Sequence, residues 1–132
     1  MLSKCGIMYS KRYILGIKAP PGFALVRGTG VDGAVNENLA HKVKTGDLLP
    51  AGAVKDIAAT AFDAEYRQGV RLTDDELAEG LAKVYGRFKD SAVRLAILHW
   101  LERAPRMKPK SLDHIQHRFR LAIKGYPVLL GV

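Results

Sequence analysis

Leu72-Thr73-Asp74-Asp75-Glu76-Leu77 opens the stretch on which the fold turns, a run that continues to Leu101. Thr73 can accept from the backbone N–H three residues on, while Glu76 reaches back to the N–H of Thr73. That is a capping box, with Leu72 and Leu77 at the two positions of a hydrophobic staple. The acidic first turn also suits the positive end of a helix dipole. Beyond the cap, Leu77, Leu81, Val84, Tyr85 and Phe88 recur at helical spacing and form one apolar stripe. Asp90 and Ser91 offer a second start, and Val93, Ala96, Ile97, Trp100 and Leu101 form a second stripe. The spacing predicts two amphipathic helices with a short break, which must bury their stripes against each other or a partner. The stretch is core, and no cleft chemistry is visible in it.

On the N-terminal side, a helix is expected from about Pro50, with Val54, Ile57, Ala58, Ala61, Phe62 and Tyr66 on one face. Gly69 is its natural stop. Earlier still, Ala19-Pro20-Pro21-Gly22 must be non-helical, because a proline restricts the residue before it. From there to Asp47 the chain is Gly-rich and aperiodic, and it is read as an extended arm with turns. Gly28-Thr29-Gly30-Val31-Asp32-Gly33 lacks the preceding strand and immediate helix that a phosphate-binding glycine loop requires.

On the C-terminal side, Pro105 ends the second central helix, and Arg106-Met107-Lys108-Pro109-Lys110 is a basic connector. Ser111 is a good N-cap for a last helix carrying Leu112, Ile115, Phe119, Ala122 and Ile123 on one side, closed by Gly125. The apolar tail Tyr126 to Val132 would be costly to expose and is expected to pack on the bundle or on a neighbour. The expectation is an all-α chain: a small bundle of about four helices over residues 48–132, with a long extended basic N-terminal arm over residues 1–47.

At 132 residues the chain is one domain with enough length for its own core. Cys5 is the only cysteine, so no internal disulfide can form. No apolar run approaches the roughly 18 residues of a membrane span; Arg94 and His99 interrupt the best candidate, Ala92 to Leu101. The charge says more. A formal +8 and a pI near 9.8 favour an anionic partner: RNA, an anionic lipid surface or an acidic protein face. Residues 1–31 hold no Asp or Glu but carry Lys4, Lys11, Arg12, Lys18 and Arg27 among Leu2, Ile7, Met8, Tyr13, Ile14, Leu15 and Ile17. Acid-free, basic and amphipathic is the pattern of a mitochondrial targeting region, and the expectation is an uncleaved one. The same pattern suits the basic arm of a ribosomal, phage or nucleic-acid-associated protein.

No constellation points to catalysis. Asp113-His114-x-x-His117 places two imidazoles one turn apart, but zinc wants three or four protein ligands, and His41, His99 and Cys5 lie far off in sequence. Asp74-Asp75-Glu76 is explained by the cap. No catalytic, cofactor-binding or metal-binding residue is therefore assigned, no cofactor is expected, and no small-molecule substrate is implied. The basic segment carries more signal: Arg103, Arg106, Lys108, Lys110, Arg118, Arg120 and Lys124 face only Asp113. The regular basic–aromatic interleaving that stacks bases is missing, as are zinc-finger and RNA-sheet motifs. The expected partner-binding residues are Arg103, Arg106, Lys108, Lys110, Arg118 and Arg120, with Val128, Leu129 and Leu130 of the tail.

Phe62-Asp63-Ala64-Glu65-Tyr66, then Gly69, then Asp74-Asp75, lead into Leu77-Ala78-Glu79-Gly80-Leu81-Ala82-Lys83-Val84, with Arg94-Leu95 and Pro109-Lys110 further on. From Tyr66 to Lys110 this order resembles the small matrix-side subunit seven of ubiquinol–cytochrome c reductase, respiratory complex III. The chain departs from that family at Tyr85-Gly86-Arg87-Phe88, where the family has Leu-Pro, and at Asp113, near the place of a family tryptophan. The resemblance implies a non-catalytic helical subunit without its own cofactor, packed against other subunits on the matrix side of the inner mitochondrial membrane. The alternative expectation is an RNA-contacting protein of the mitochondrial ribosome, which the charge favours equally.

Overall fold

A computed structural model describes Ile7 and residues 10–116 of the chain. Four α-helices make up the described part: α1 Phe23–Thr45, α2 Ala51–Arg67, α3 Asp74–Glu79 and α4 Leu81–Glu102. A π-helical turn, Ser10–Ile14, precedes them and a 3-10 turn, Leu112–His114, follows. The only strand-like feature among the described residues is an isolated bridge between Gly22 and Arg71, made as the Arg71 N–H donates to the Pro21 carbonyl at 2.9 Å. Helices α1, α2 and α4 each pack on the other two, and α3 rests on α4. The chain is all-α, a small helical bundle.

The central cap forms as its residues require. The Glu76 N–H donates to Thr73 Oγ1 at 3.3 Å, and the Thr73 N–H donates to the Glu76 carboxylate at 2.9 Å, so two orphan donors of α3 are satisfied reciprocally. The break between the two central helices is corrected, however. It falls at Gly80, not at Asp90-Ser91, through which α4 runs continuously. Gly80 sits at φ 97°, a left-handed conformation that a residue with a Cβ resists, whereas Asp90 and Ser91 ride as ordinary positions of the helix. The kink also divides the expected stripe. Val84, Tyr85 and Phe88 turn to the core, while Leu77 and Leu81 are exposed. Leu101 of the second stripe is exposed as well.

The larger correction concerns residues 22–47. The stretch read as an extended, turn-rich arm contains a helix of 23 residues, capped at its C-terminus by Gly46 at φ 85°. Its buried positions are Phe23, Val26, Gly30, Ala34, Asn38 and Leu39, a helical spacing in which small residues hold places that large apolar ones usually take. A Cβ built on Gly30 would lie 3.0 Å from the Ala58 carbonyl oxygen and 3.1 Å from Phe62 Cβ, and one on Gly33 would lie 3.0 Å from Ala61 Cβ. The glycines are there because α1 and α2 approach too closely for side chains. With α1 in the bundle, the division at residue 47 is not a boundary between arm and core; the basic arm ends before Phe23.

Two clusters make the core. Phe23, Val26, Phe62, Val84 and Ala92 form one, with Tyr66, Tyr85 and Phe88 packed round it. Phe23 stacks on Phe88 at 5.3 Å between centroids, and Tyr85 meets Tyr66 edge-on at 4.9 Å. Ala34, Val54, Ala58 and Ala96 form the second, closed by Leu49, Ile57, Val93, Ile97 and Trp100. The loop from α1 to α2 is fastened from both sides: the Leu49 N–H donates to Asn38 Oδ1 at 2.8 Å, and Trp100 Nε1 donates to the Leu49 carbonyl at 2.7 Å. The described part of the expected last helix is the 3-10 turn, where Ser111 makes no side-chain cap bond; residues 117–132 lie outside the described residues.

Candidate partner-binding site

Arg103, Arg106, Lys108 and Lys110, four of the expected partner-binding residues, are all exposed along the segment that leaves α4. The segment is held in a fixed course. Ala104 is fully buried and anchors it, and Lys42, from the last turn of α1, reaches it with its ammonium group. Lys42 Nζ donates to the carbonyls of Ala104 at 2.7 Å, Pro105 at 3.1 Å and Met107 at 2.7 Å. A cation with three donors thus meets carbonyl groups at the negative end of α4. With the backbone pinned inward at Ala104, the flanking cations project outward. Lys44, exposed near the end of α1, adds charge close by. Arg118, Arg120, Val128, Leu129 and Leu130 lie outside the described residues.

Lys42 escaped the sequence reading. Its carbonyl partners are more than sixty positions away, and its place in the last turn of a helix has meaning only once α1 is known to be one.

A second surface was also not expected. Leu81, Leu95, Leu98 and Leu101 are exposed on α4, with Leu77 exposed on α3. Arg87, Asp90, Ser91, Arg94, Leu95 and Leu98 line a shallow depression there. Arg87 donates to both oxygens of Glu79, at 3.2 and 2.7 Å, and its guanidinium lies 4.8 Å from the Phe88 ring centre. It lies over the Phe88 ring and lines the depression with Leu95 and Leu98. The stripe reading assigned Leu77, Leu81 and Leu101 to the core, and Leu95 and Leu98 fell in neither stripe.

Tyr85 Oη donates to Asp63 Oδ1 at 2.5 Å, and Lys89 Nζ donates to Asp63 Oδ2 at 2.7 Å and to Tyr85 Oη at 3.1 Å. Burial opposes charge on Asp63, but the hydrogen bonds from Lys89 and Tyr85, with the charges of Lys89 and Arg67, prevail and hold its carboxyl below its ordinary range. The hydrogen bond to Asp63, then that to Tyr85, raises Lys89 above its ordinary value. This triad joins α2 to α4 and lines neither of the main surface depressions.

The histidines are dispersed. His41 Nδ1 lies 2.9 Å from the Asp47 carbonyl, His99 is half-buried on α4 and His114 is exposed in the 3-10 turn. Burial, and then the charge of Arg103, push His99 below its ordinary value. Among the described residues no three His, Cys, Asp or Glu side chains are placed to hold a metal ion; His117 and Cys5 lie outside them. No described helix is long and apolar enough to cross a membrane. Comparison with protein-family models, curated proteins and solved structures finds no match to this chain.

Proposed function

We propose that the chain is a non-catalytic accessory subunit of a larger assembly, held there by the outer face of α3 and α4. The observation that carries this reading is the exposure of five leucines on these two helices, Leu77, Leu81, Leu95, Leu98 and Leu101, of which Leu95 and Leu98 line one depression with Arg87 and Arg94. Apolar side chains rimmed by polar ones, as Leu95 and Leu98 are here, mark contact sites on small domains. Arginine is the residue type most enriched at interfaces among charged side chains. The assembly we favour is a mitochondrial respiratory complex, complex III first, with the chain on the matrix side of the inner membrane. Support comes from the acid-free basic N-terminus and from the resemblance over Tyr66 to Lys110. On the present fold those residues supply the cap, the exposed Arg94-Leu95 pair and the basic segment ending in Pro109-Lys110.

The second reading, an RNA-contacting protein of the mitochondrial ribosome, is favoured by the four exposed cations from Arg103 to Lys110. Fractionation of native particles separates the two. An apolar docking face keeps the protein in a detergent-solubilised respiratory particle through nuclease and moderate salt, and Leu98→Asp releases it. Co-sedimentation with ribosomal particles that nuclease abolishes would replace this reading with the second.

A further inference from the structure

The segment leaving α4 carries apolar as well as basic side chains on its outer side. Leu101, Met107 and Leu112 are exposed at 62, 41 and 48%, interleaved with exposed Arg103, Arg106, Lys108 and Lys110. Glu102 is the one exposed acid between Leu101 and Leu112, and Asp113 follows them. The Lys42 bonds to Ala104, Pro105 and Met107 give this mixed surface a fixed backbone. Ala104 of the same segment is buried.

We propose that this surface, Leu101 to Leu112 with Lys44, docks on an anionic lipid bilayer. Cations near such a membrane are drawn to its negative surface potential, and leucine and methionine side chains interleaved with them in sequence can enter the boundary between headgroups and acyl chains. Polyphosphate strands call for a different complement. Binding of single-stranded nucleic acid relies on aromatic platforms for the bases, and no aromatic residue occurs from Leu101 to Leu112. The neighbouring Trp100 is held on the Leu49 carbonyl. The proposal needs no particular assembly; it shares Leu101 with the exposed leucines of α3 and α4, while Met107, Leu112 and the cations lie outside them.

The test is flotation of the full chain with phosphatidylcholine vesicles, with and without phosphatidylglycerol, at moderate salt. Anionic vesicles should carry the protein and neutral ones should not. Each Lys or Arg at such a surface is worth about 1 kcal/mol, or about fivefold in partition. Replacing Arg103, Arg106, Lys108 and Lys110 together by Glu should therefore lower partition by at least about a hundredfold. The paired replacement Leu101→Ser and Met107→Ser should leave attraction at low salt intact but remove the binding that survives high salt. Lys11→Glu with Lys18→Glu, on the N-terminal arm, serves as the comparator and should weaken binding less than the fourfold change. Unchanged circular dichroism establishes that each variant is folded, and a fourfold variant that fails this check passes the decision to the Leu101 and Met107 pair. Equal recovery with neutral and anionic vesicles would overturn the proposal. So would loss of flotation in the Lys11 and Lys18 variant alone, or displacement from anionic vesicles by stoichiometric polyuridylate, which would make RNA the ligand.

Discussion

Glycines 28 and 30, two residues apart on α1, should respond to alanine with opposite signs. Gly28 faces open space, with nothing within 4 Å of a Cβ built on it. Alanine there gains only helix propensity, about 0.5–1 kcal/mol. Gly30 gains the same propensity but is buried against α2. Its Cβ would meet the Ala58 carbonyl oxygen at 3.0 Å and Phe62 Cβ at 3.1 Å. The first contact is backbone in the middle of a helix, so relief requires α1 and α2 to separate by a few tenths of an ångström. Overpacking of this kind costs roughly 1–3 kcal/mol, enough to outweigh the propensity gain. Gly28→Ala should raise the urea midpoint and Gly30→Ala should lower it, a spread of about 2 kcal/mol with wild type between them. Urea titration followed by circular dichroism, with the slope checked for constancy, measures both. Equal stabilisation in the two variants would mean that the helices do not approach at Gly30. No effect in either would mean that residues 23–45 are not helical in solution.

Thr73→Ala should cost on the order of 1 kcal/mol, since the Glu76 N–H loses its acceptor; an unchanged midpoint would place the start of α3 elsewhere. Lys42→Met should cost roughly 1–3 kcal/mol, because it strips three carbonyls of their donor, and hydrogen exchange should quicken at Arg106 and Met107. The pH profile of stability should fall on both sides. The pKa of His99 is lowered in the fold, so its contribution is full above the ordinary value of 6.5 and is lost as pH falls through the folded value. That of Asp63 is also lowered, and its contribution is lost at more acid pH, below 3.8. Lys89 is raised, and its contribution fades only above 10.5, as pH climbs through the folded value. His99→Gln should remove the first acid step and leave the second, and a midpoint flat from neutral pH down to 4 would refute the assignment to His99.

Where apolar side chains were large, the pattern led to the right elements. Val54, Ala58 and Phe62 announce α2, and Thr73 with Glu76 announces the cap, because both rest on side chains whose chemistry is local. Helix α1 was hidden for the opposite reason. Its inward positions include Gly30 and Ala34, and glycine in a sequence reads as a breaker costing about 1 kcal/mol. That cost is recovered only through the approach of α2, a contact between residues some thirty positions apart. The break at Gly80 was missed because Asp90-Ser91 has the chemistry of a helix start, yet both residues are also tolerated inside one. Only the left-handed φ at Gly80 decides between them. The basic residues of the site could be read directly, since charge predicts exposure; what holds them, Lys42, could not.

The energetics of the exposed leucines bear on how the two surfaces work together. Complete burial of a leucine side chain gains about 1.5–3 kcal/mol. The five exposed leucines of α3 and α4, 40 to 62% exposed, have only about half of that left to gain, roughly 5 kcal/mol even if one partner covered all of them. Association costs at least about 4 kcal/mol in lost translational and rotational freedom. The exposed leucines therefore leave little over that cost, and docking through α3 and α4 gains from the arginines beside them, Arg87 and Arg94. If the basic segment docks on an anionic bilayer as proposed, its attraction lowers the cost of encounter and adds contacts at a second place. Two weak sites on one rigid body act as a strong one only if both can be engaged at once. The Lys42 bonds hold the basic segment at the same end of α4 as Leu101, so the two surfaces meet any large partner in a fixed relation.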